Sequence, residues 1–413
     1  MNFYAIIILV TLIFSYLLSL ITELLNLKAL RDDLPEEFEG VYDAEKYRKS
    51  QQYTRVKTRF GFITSTFGIV LTLIFWFAGG FNFLDQIVRI WHLPPILTGL
   101  CYIGILILAR SILSLPFSIY ATFVIEEKFG FNKTTPLTFV TDMLKGLALG
   151  ILLGTPLLAG ILAFFQFTGH LAWLYCWMAT TLFTLFVQFI APTWIMPLFN
   201  KFTPLEEGEL REAILSYAES VKFSLKNLFV IDGSKRSTKS NAFFTGFGKN
   251  KRIALFDTLI ENHTVPELVA VLAHEIGHYK KKHILKSMVI SIVHMGVVFY
   301  LLSIFVSHEG LFKAFYMEEA SIYAGLIFFG MLYSPMELIL SIFMQIFSRK
   351  NEYEADRFAA ETTQNPESMI SALKKLSVHN LSNLTPHPLY VFLNYSHPPT
   401  LERIKAIRQL KIA

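Results

Sequence analysis

Seven runs of predominantly apolar residues, at roughly 3–25, 61–80, 98–125, 143–165, 171–198, 285–306 and 321–347, constrain this chain more than any other feature. Each is long enough to cross a hydrocarbon layer of ~30 Å at ~1.5 Å per helical residue. Lipid offers no partners to backbone N–H and C=O groups, so each run must close its own hydrogen bonds as a helix. Composition agrees: 53% of the 413 residues are hydrophobic and only 17% charged, against about 25% charged in a soluble domain. Thirty-nine Phe exceed what a soluble core of this size needs. The run from Phe3 to Leu25 lacks a basic flank and is too long for a signal-peptide core, so it reads as the first span. The predicted fold is an all-α polytopic membrane protein of about seven transmembrane helices.

The loops give an orientation. Lys and Arg number eight in 26–60, thirteen in 199–284 and nine from Arg349 onward, but one each in 81–97 and 307–320 and none in 166–170. With seven spans every rich segment falls on one side and every poor one on the other. Lys128 and Lys133 put the 126–142 loop on the rich side. The positive-inside rule makes that side the cytosol, with the N-terminus outside and the C-terminus inside. The net charge of +5 belongs to these loops, so the expected partner is membrane lipid and no nucleic acid. Cys101 and Cys176 lie in apolar runs and read as packed thiols.

The expected organisation is 1–198, spans one to five with their loops; 199–284, a cytosolic region; 285–348, spans six and seven; and 349–413, a second cytosolic region. No internal repeat or low-complexity tract interrupts it. A site using both polar regions must be assembled across a membrane hairpin. In the first region, Leu205–Phe223 reads as an amphipathic helix. Asn241–Thr245 and Arg252–Phe256 read as strands of a small β-hairpin around a turn at Gly248–Lys251. The first strand, through the backbone of Asn241 and Ala242, can offer an edge to an extended substrate. Pro266 then opens a helix, with Glu267 in its first turn.

That helix contains His274-Glu-Ile-Gly-His278. Histidines at i and i+4 share a helix face, so both imidazoles can reach one ion. Zinc accepts imidazole and, in catalytic sites, keeps a position open. Glu275 projects beside that position, where it can take a proton from the attacking water. Two solvated histidines on a surface helix are the plain alternative, which weakens once a third ligand is found. The best place for one is Arg349-Lys-Asn-Glu352-Tyr-Glu-Ala-Asp356, just after the last run. Glu352 and Asp356 face the same way at i and i+4; one can bind the metal and the other can accept from a ligand imidazole. Glu354 points elsewhere.

His274–His278, followed after two spans by Glu352-Tyr-Glu-Ala-Asp356, resembles the type I CAAX prenyl proteases, integral-membrane zinc proteases of the glutamate-zincin class. The likeness extends to Ser240–Asp257, similar to that family's substrate-strand region, to Phe129-Gly-Phe-Asn-Lys-Thr134, and to the signature Tyr395-Ser-His397-Pro-Pro-Thr-Leu-Glu-Arg403. Only sixteen residues separate Asp257 from His274, so an insertion associated with some animal members is missing.

The resemblance implies one zinc ion per chain on His274, His278 and Glu352, with Glu275 as base. Asp356 is implied as a supporting carboxylate or proton donor. His397 would contact the substrate carbonyl or oxyanion, and Arg403 would orient substrate or a carboxylate. It also implies helices around a water-filled chamber, which Arg110, His294 and Glu337 line unless they only pair between helices. The expected activity is endopeptidase cleavage of CAAX-type C-termini, prenylated or not, or of other membrane-associated chains. The membrane would be a bacterial inner membrane or the endoplasmic reticulum. The alternatives are a transporter or channel with a regulatory metal site, which would work without Glu275, and an inactive scaffold, which would need no general base.

Overall fold

The computed structural model describes residues 1–225, 227–245 and 252–411. Among them, seven helices are long and apolar enough to cross a membrane: Phe3–Ala29, Ala44–Phe77, Pro95–Glu126, Pro136–Phe167, Gly169–Leu198, His283–Phe305 and Ile322–Thr363. They correspond one for one to the seven apolar runs, and several overrun them. The second begins at Ala44, capped by the Asp43 side chain on Glu45 N–H. The seventh continues unbroken to Thr363, because its polar continuation finds a core of its own: Ala355, Ala359 and Ala360 are fully buried. The fourth and fifth carry π turns at Gly150–Gly154 and Ala191–Ile195. Pro156 and Pro197 have no N–H to donate, which frees the carbonyls of Leu152 and Thr193 inside those turns.

Packing concentrates at the two ends of the bundle. At one end Trp76, Phe81, Tyr102, Phe315 and Phe328 form an aromatic core, with the Phe315 and Phe328 rings stacked at 3.9 Å. At the other end Phe38, Tyr47, Ile214, Leu272, Ala359 and Ile404 belong to the core of the polar regions. Between the ends, only 6–17% of each span's most apolar window is buried. A solid seven-helix bundle would bury far more. The helices therefore leave much of their apolar surface open, with Phe343 and Trp194 bare for lipid.

The polar region carries a four-stranded sheet in the order β1-β2-β4-β3: β1 Phe202–Pro204, β2 Asn227–Ile231, β3 Ala242–Thr245 and β4 Arg252–Phe256. The β3–β4 pair is antiparallel, as the sequence predicts; the turn expected at Gly248–Lys251 lies outside the described residues. The parallel β2–β4 pair and the antiparallel β1–β2 pair extend it beyond a hairpin. The helix predicted from Leu205 begins only at Glu209, because Leu205 N–H is spent on Leu228 C=O at 3.0 Å, prolonging the sheet. It ends at Ser220, and Lys222 turns the chain at φ 50°.

The helix Val265–Lys280 starts on a capping box: Thr264 N–H donates to Glu267 at 2.7 Å, and Lys375 also reaches Glu267 at 2.7 Å. It crosses the seventh helix at Gly277. A Cβ there would lie 3.2 Å from Ala355 Cα and 3.3 Å from Ala355 O, backbone atoms that cannot swing aside. Ala for Gly inside a helix ordinarily stabilises by ~0.5–1 kcal/mol. Here overpacking, at ~1–3 kcal/mol, outweighs it. Gly277→Ala should lower the thermal unfolding temperature in detergent; an unchanged or raised midpoint would show that the two helices have slack.

Candidate metal and catalytic centre

His274 and His278 lie one turn apart on this helix, with ring centroids 4.7 Å apart and Nε2 atoms at 3.1 Å. The seventh helix brings Glu352 against both: its carboxylate oxygens are 3.4 Å from His274 Nε2 and 3.3 Å from His278 Nε2. One donor atom from each of the three falls within 4.8 Å of the others, a group that could hold a metal ion.

Asp356, one turn further along, is 1% exposed. It accepts from His274 Nδ1 at 2.9 Å, which turns the Nε2 of that ring toward Glu352. Arg403 forks onto Asp356, with Nε to Oδ2 at 2.7 Å and Nη2 to Oδ1 at 2.6 Å. Arg403 thus orients a carboxylate, and spacing alone could not separate Glu352 from Asp356 because the distinction comes from the tail helix Thr400–Arg408.

Two features fit a dication. Among the described residues, Glu352 Oε2 is buried with no hydrogen-bond partner, and carboxylates at 275, 352 and 356 face the guanidinium of Arg403. Burial alone would depress His274, but the hydrogen bond to Asp356 and the adjoining carboxylate of Glu352 override it and raise its pKa to about 9. A negative field of that strength on a buried imidazole is what a divalent cation relieves. The donor set, two imidazoles and one carboxylate, suits zinc.

Glu275 is partly buried and makes no hydrogen bond or ion pair among the described residues. Burial raises its pKa, which the two imidazoles oppose. His397 lies far along the chain, yet its Nε2 is 3.3 Å from Glu352 Oε1 and its side chain is 63% exposed, at the mouth of the cluster. β3 lies against the helix of His274 and is an outer strand of the sheet. Asn241 and Ala242 divide its roles. Asn241 C=O accepts from Phe256 N–H at 3.2 Å, inside the sheet. Ala242 N–H points to the free edge, where the Asn241 side chain holds it at 2.9 Å.

Sequence reasoning missed a second support. His278 Nδ1 meets His283 Nδ1 at 3.0 Å, and His283 Nε2 meets Glu354 at 3.1 Å. With His278 Nε2 turned to the cluster, its Nδ1–H donates to His283, whose Nε2–H donates to Glu354. Glu354 does point away from Glu352, but onto the helper of a ligand candidate. The available signal was a histidine five residues after His278, hidden because Lys282 breaks the helix at φ 59°. In the membrane, His294 pairs with Tyr333 at 3.1 Å and with Glu337 at 3.6 Å. Both remain partly open, whereas Arg110 is exposed with no such pairing among the described residues. His283→Ala should weaken zinc binding by ~10–100-fold in chelator competition while the protein stays folded. Glu354→Gln, which keeps an acceptor, should do less. Wild-type affinity in His283→Ala would show that His278 is held without it.

Residues 23–201 match the family described as CAAX prenyl protease N-terminal, five membrane helices, and residues 204–411 match peptidase family M48. The chain is 35% identical to CAAX prenyl protease 1 of Saccharomyces cerevisiae over 407 residues, covering 91% of this chain and 88% of that one. It is 39% identical to a CAAX prenyl protease 1 homolog of Oryza sativa subsp. japonica, with 91% and 90% covered. The homolog of Arabidopsis thaliana is 38% identical, with 96% and 95% covered. A crystal structure of S. mikatae Ste24p superposes with a TM-score of 0.92 at 33% identity, covering 98% of this chain and 99% of that one. Nothing in these matches supports a transporter. The chain belongs to the M48 peptidases of CAAX prenyl protease type and is a zinc-dependent membrane endopeptidase.

Proposed function

We propose that His274, His278 and Glu352 hold the zinc ion, that Glu275 is the general base, and that the substrates are lipid-modified C-terminal segments of CAAX type. The observation that carries the reading is the convergence of the two imidazoles and Glu352 beside a Glu275 that has no competing partner among the described residues. The chemistry that zinc supplies in such a site is Lewis acidity, which brings the pKa of a coordinated water to ~7 and polarises a carbonyl. Glu275 takes the proton of the attacking water and delivers it to the leaving amine. Asp356, fixed by Arg403, holds the His274 ring and needs to donate no proton. The exposed face of His397 can donate to the oxyanion as charge develops there. The edge of β3 aligns an extended substrate through Ala242, once the Asn241 side chain yields.

A cavity of about 890 Å³ supports the lipid-modified substrate. It opens beside His278 and runs up between the fifth and sixth spanning helices, with Leu185, Met288, Ile292 and Met295 among its apolar lining. Its size lies within the ~300–1,000 Å³ of ligand pockets, and a hydrocarbon chain is the chemistry that such a lining accepts. The names of the relatives point to the same substrate class. The loop charges favour a cytosolic site.

Glu275→Gln should keep its zinc and lose at least ~10²-fold in turnover of a C-terminal peptide; turnover within tenfold of wild type would remove it as the base. A farnesylated peptide should be cleaved with at least tenfold higher kcat/KM than its unmodified twin, and equal values would leave the cavity without its assigned ligand. Cysteines at Glu206 and Lys405 should react with an impermeant reagent from one side of sealed vesicles, and one at Glu309 from the other. Labelling of the first two from opposite sides would contradict the seven-span topology.

A further inference from the structure

A second cavity, of about 440 Å³, shares no lining residue with the metal cluster. It forms where the polar extension of the second spanning helix, the Phe129–Lys133 loop, the segment after β4 and the end of the helix Pro366–His379 meet. Three lysines line it: Lys46, Lys49 and Lys133. None of the three makes an ion pair or side-chain hydrogen bond among the described residues. Lys46 is half-buried, while Lys49 and Lys133 are exposed; half-buried lysines elsewhere are engaged, such as Lys239 with Glu126 at 2.8 Å and Lys374 with Glu37. Of the nearby acids, Glu261 is exposed at the rim. Asp257 is taken up by Ser234 N–H and hydroxyl and by Thr258 N–H. The remaining lining mixes hydrogen-bonding groups, among them Asn262 and His379, with the apolar side chains of Phe129, Phe131 and Leu381. Burial, with Lys46, His263 and Lys375 nearby, holds His379 at about 4, so it meets a ligand as a neutral imidazole.

From this concave cluster of unpaired lysines we infer that the pocket binds a phosphate-bearing small anion, either a soluble phosphorylated molecule or the phosphorylated headgroup of a lipid in the adjoining leaflet. Three lysines lining one concavity set up a positive field there, which an anion would neutralise. A volume of this size admits a small molecule and not merely one ion. Lysine suits phosphate as a point charge free to swing onto any of its oxygens. The pocket also backs onto the lead-in to β3: Thr258 Oγ1 donates to Lys239 C=O at 3.0 Å, and Ser240 Oγ donates to Thr258 C=O at 3.1 Å.

The test uses the full-length, zinc-loaded protein. Isothermal titration in neutral-lipid nanodiscs with inositol 1,4,5-trisphosphate reads the soluble source. Native mass spectrometry with added phosphatidylinositol 4,5-bisphosphate reads the lipid source. At least one probe should bind at one per chain, weaken with added salt, and lose at least tenfold in affinity in the Lys46→Ala/Lys49→Ala double variant. Zinc content and basal peptide cleavage of that variant should match wild type, since neither lysine touches the catalytic cluster. Binding of the trisphosphate assigns a soluble ligand; binding of the lipid alone assigns a headgroup. Failure of both probes to bind, or binding that the double substitution leaves unchanged, overturns the inference.

Discussion

The ion pair of Asp356 with Arg403 is the constraint on which the rest of the site depends. Asp356 is almost wholly buried, and a buried carboxylate survives only when its charge is matched and its lone pairs are filled. The guanidinium fork fills both oxygens, and His274 Nδ1 completes the shell. The tail helix, the seventh spanning helix and the helix of His274 are thereby clamped at one point. Gly277 lets two of those helices approach to backbone contact beside the clamp. On His278 the pair His283–Glu354 does the corresponding job. Both imidazoles are thus set from behind before any metal arrives, which lowers the cost of binding it.

Much of this was legible in the sequence because it depends on local periodicity. Seven apolar runs became seven helices, since backbone satisfaction in lipid leaves no other outcome. The i, i+4 spacing placed His274 with His278 and Glu352 with Asp356 on common faces. What local pattern could not carry was contact between distant segments. The parallel partner of β4 is a short apolar run far upstream, and no hairpin rule finds it. The unbroken passage from the seventh span into the helix of Glu352 looked like a boundary because hydropathy falls at Arg349 while helix propensity does not. Glu354 seemed idle because its partner, His283, follows a break in another helix.

The architecture keeps two solvents apart. Apolar side chains such as Phe343 are exposed for lipid, while Arg110, Glu337 and His294 stay accessible on the spanning helices, where ionisable groups need polar surroundings. The cluster of His274, His278 and Glu352 lies beside the apolar cavity that runs from His278 between the fifth and sixth spanning helices. The proposed substrate, a peptide carrying a hydrocarbon group, would need polar and apolar surroundings at once, and the two adjoin at His278.

The account assigns the two neighbouring carboxylates different work: Glu352 ligates, and Asp356 acts through His274. Zinc stoichiometry of the purified protein, measured by elemental analysis on wild type, Glu352→Ala and Asp356→Asn, tests this most directly. One zinc per wild-type chain, little or none in Glu352→Ala, and zinc retained in Asp356→Asn with affinity weakened by ~10–100-fold is the predicted pattern. Full occupancy in Glu352→Ala would contradict it.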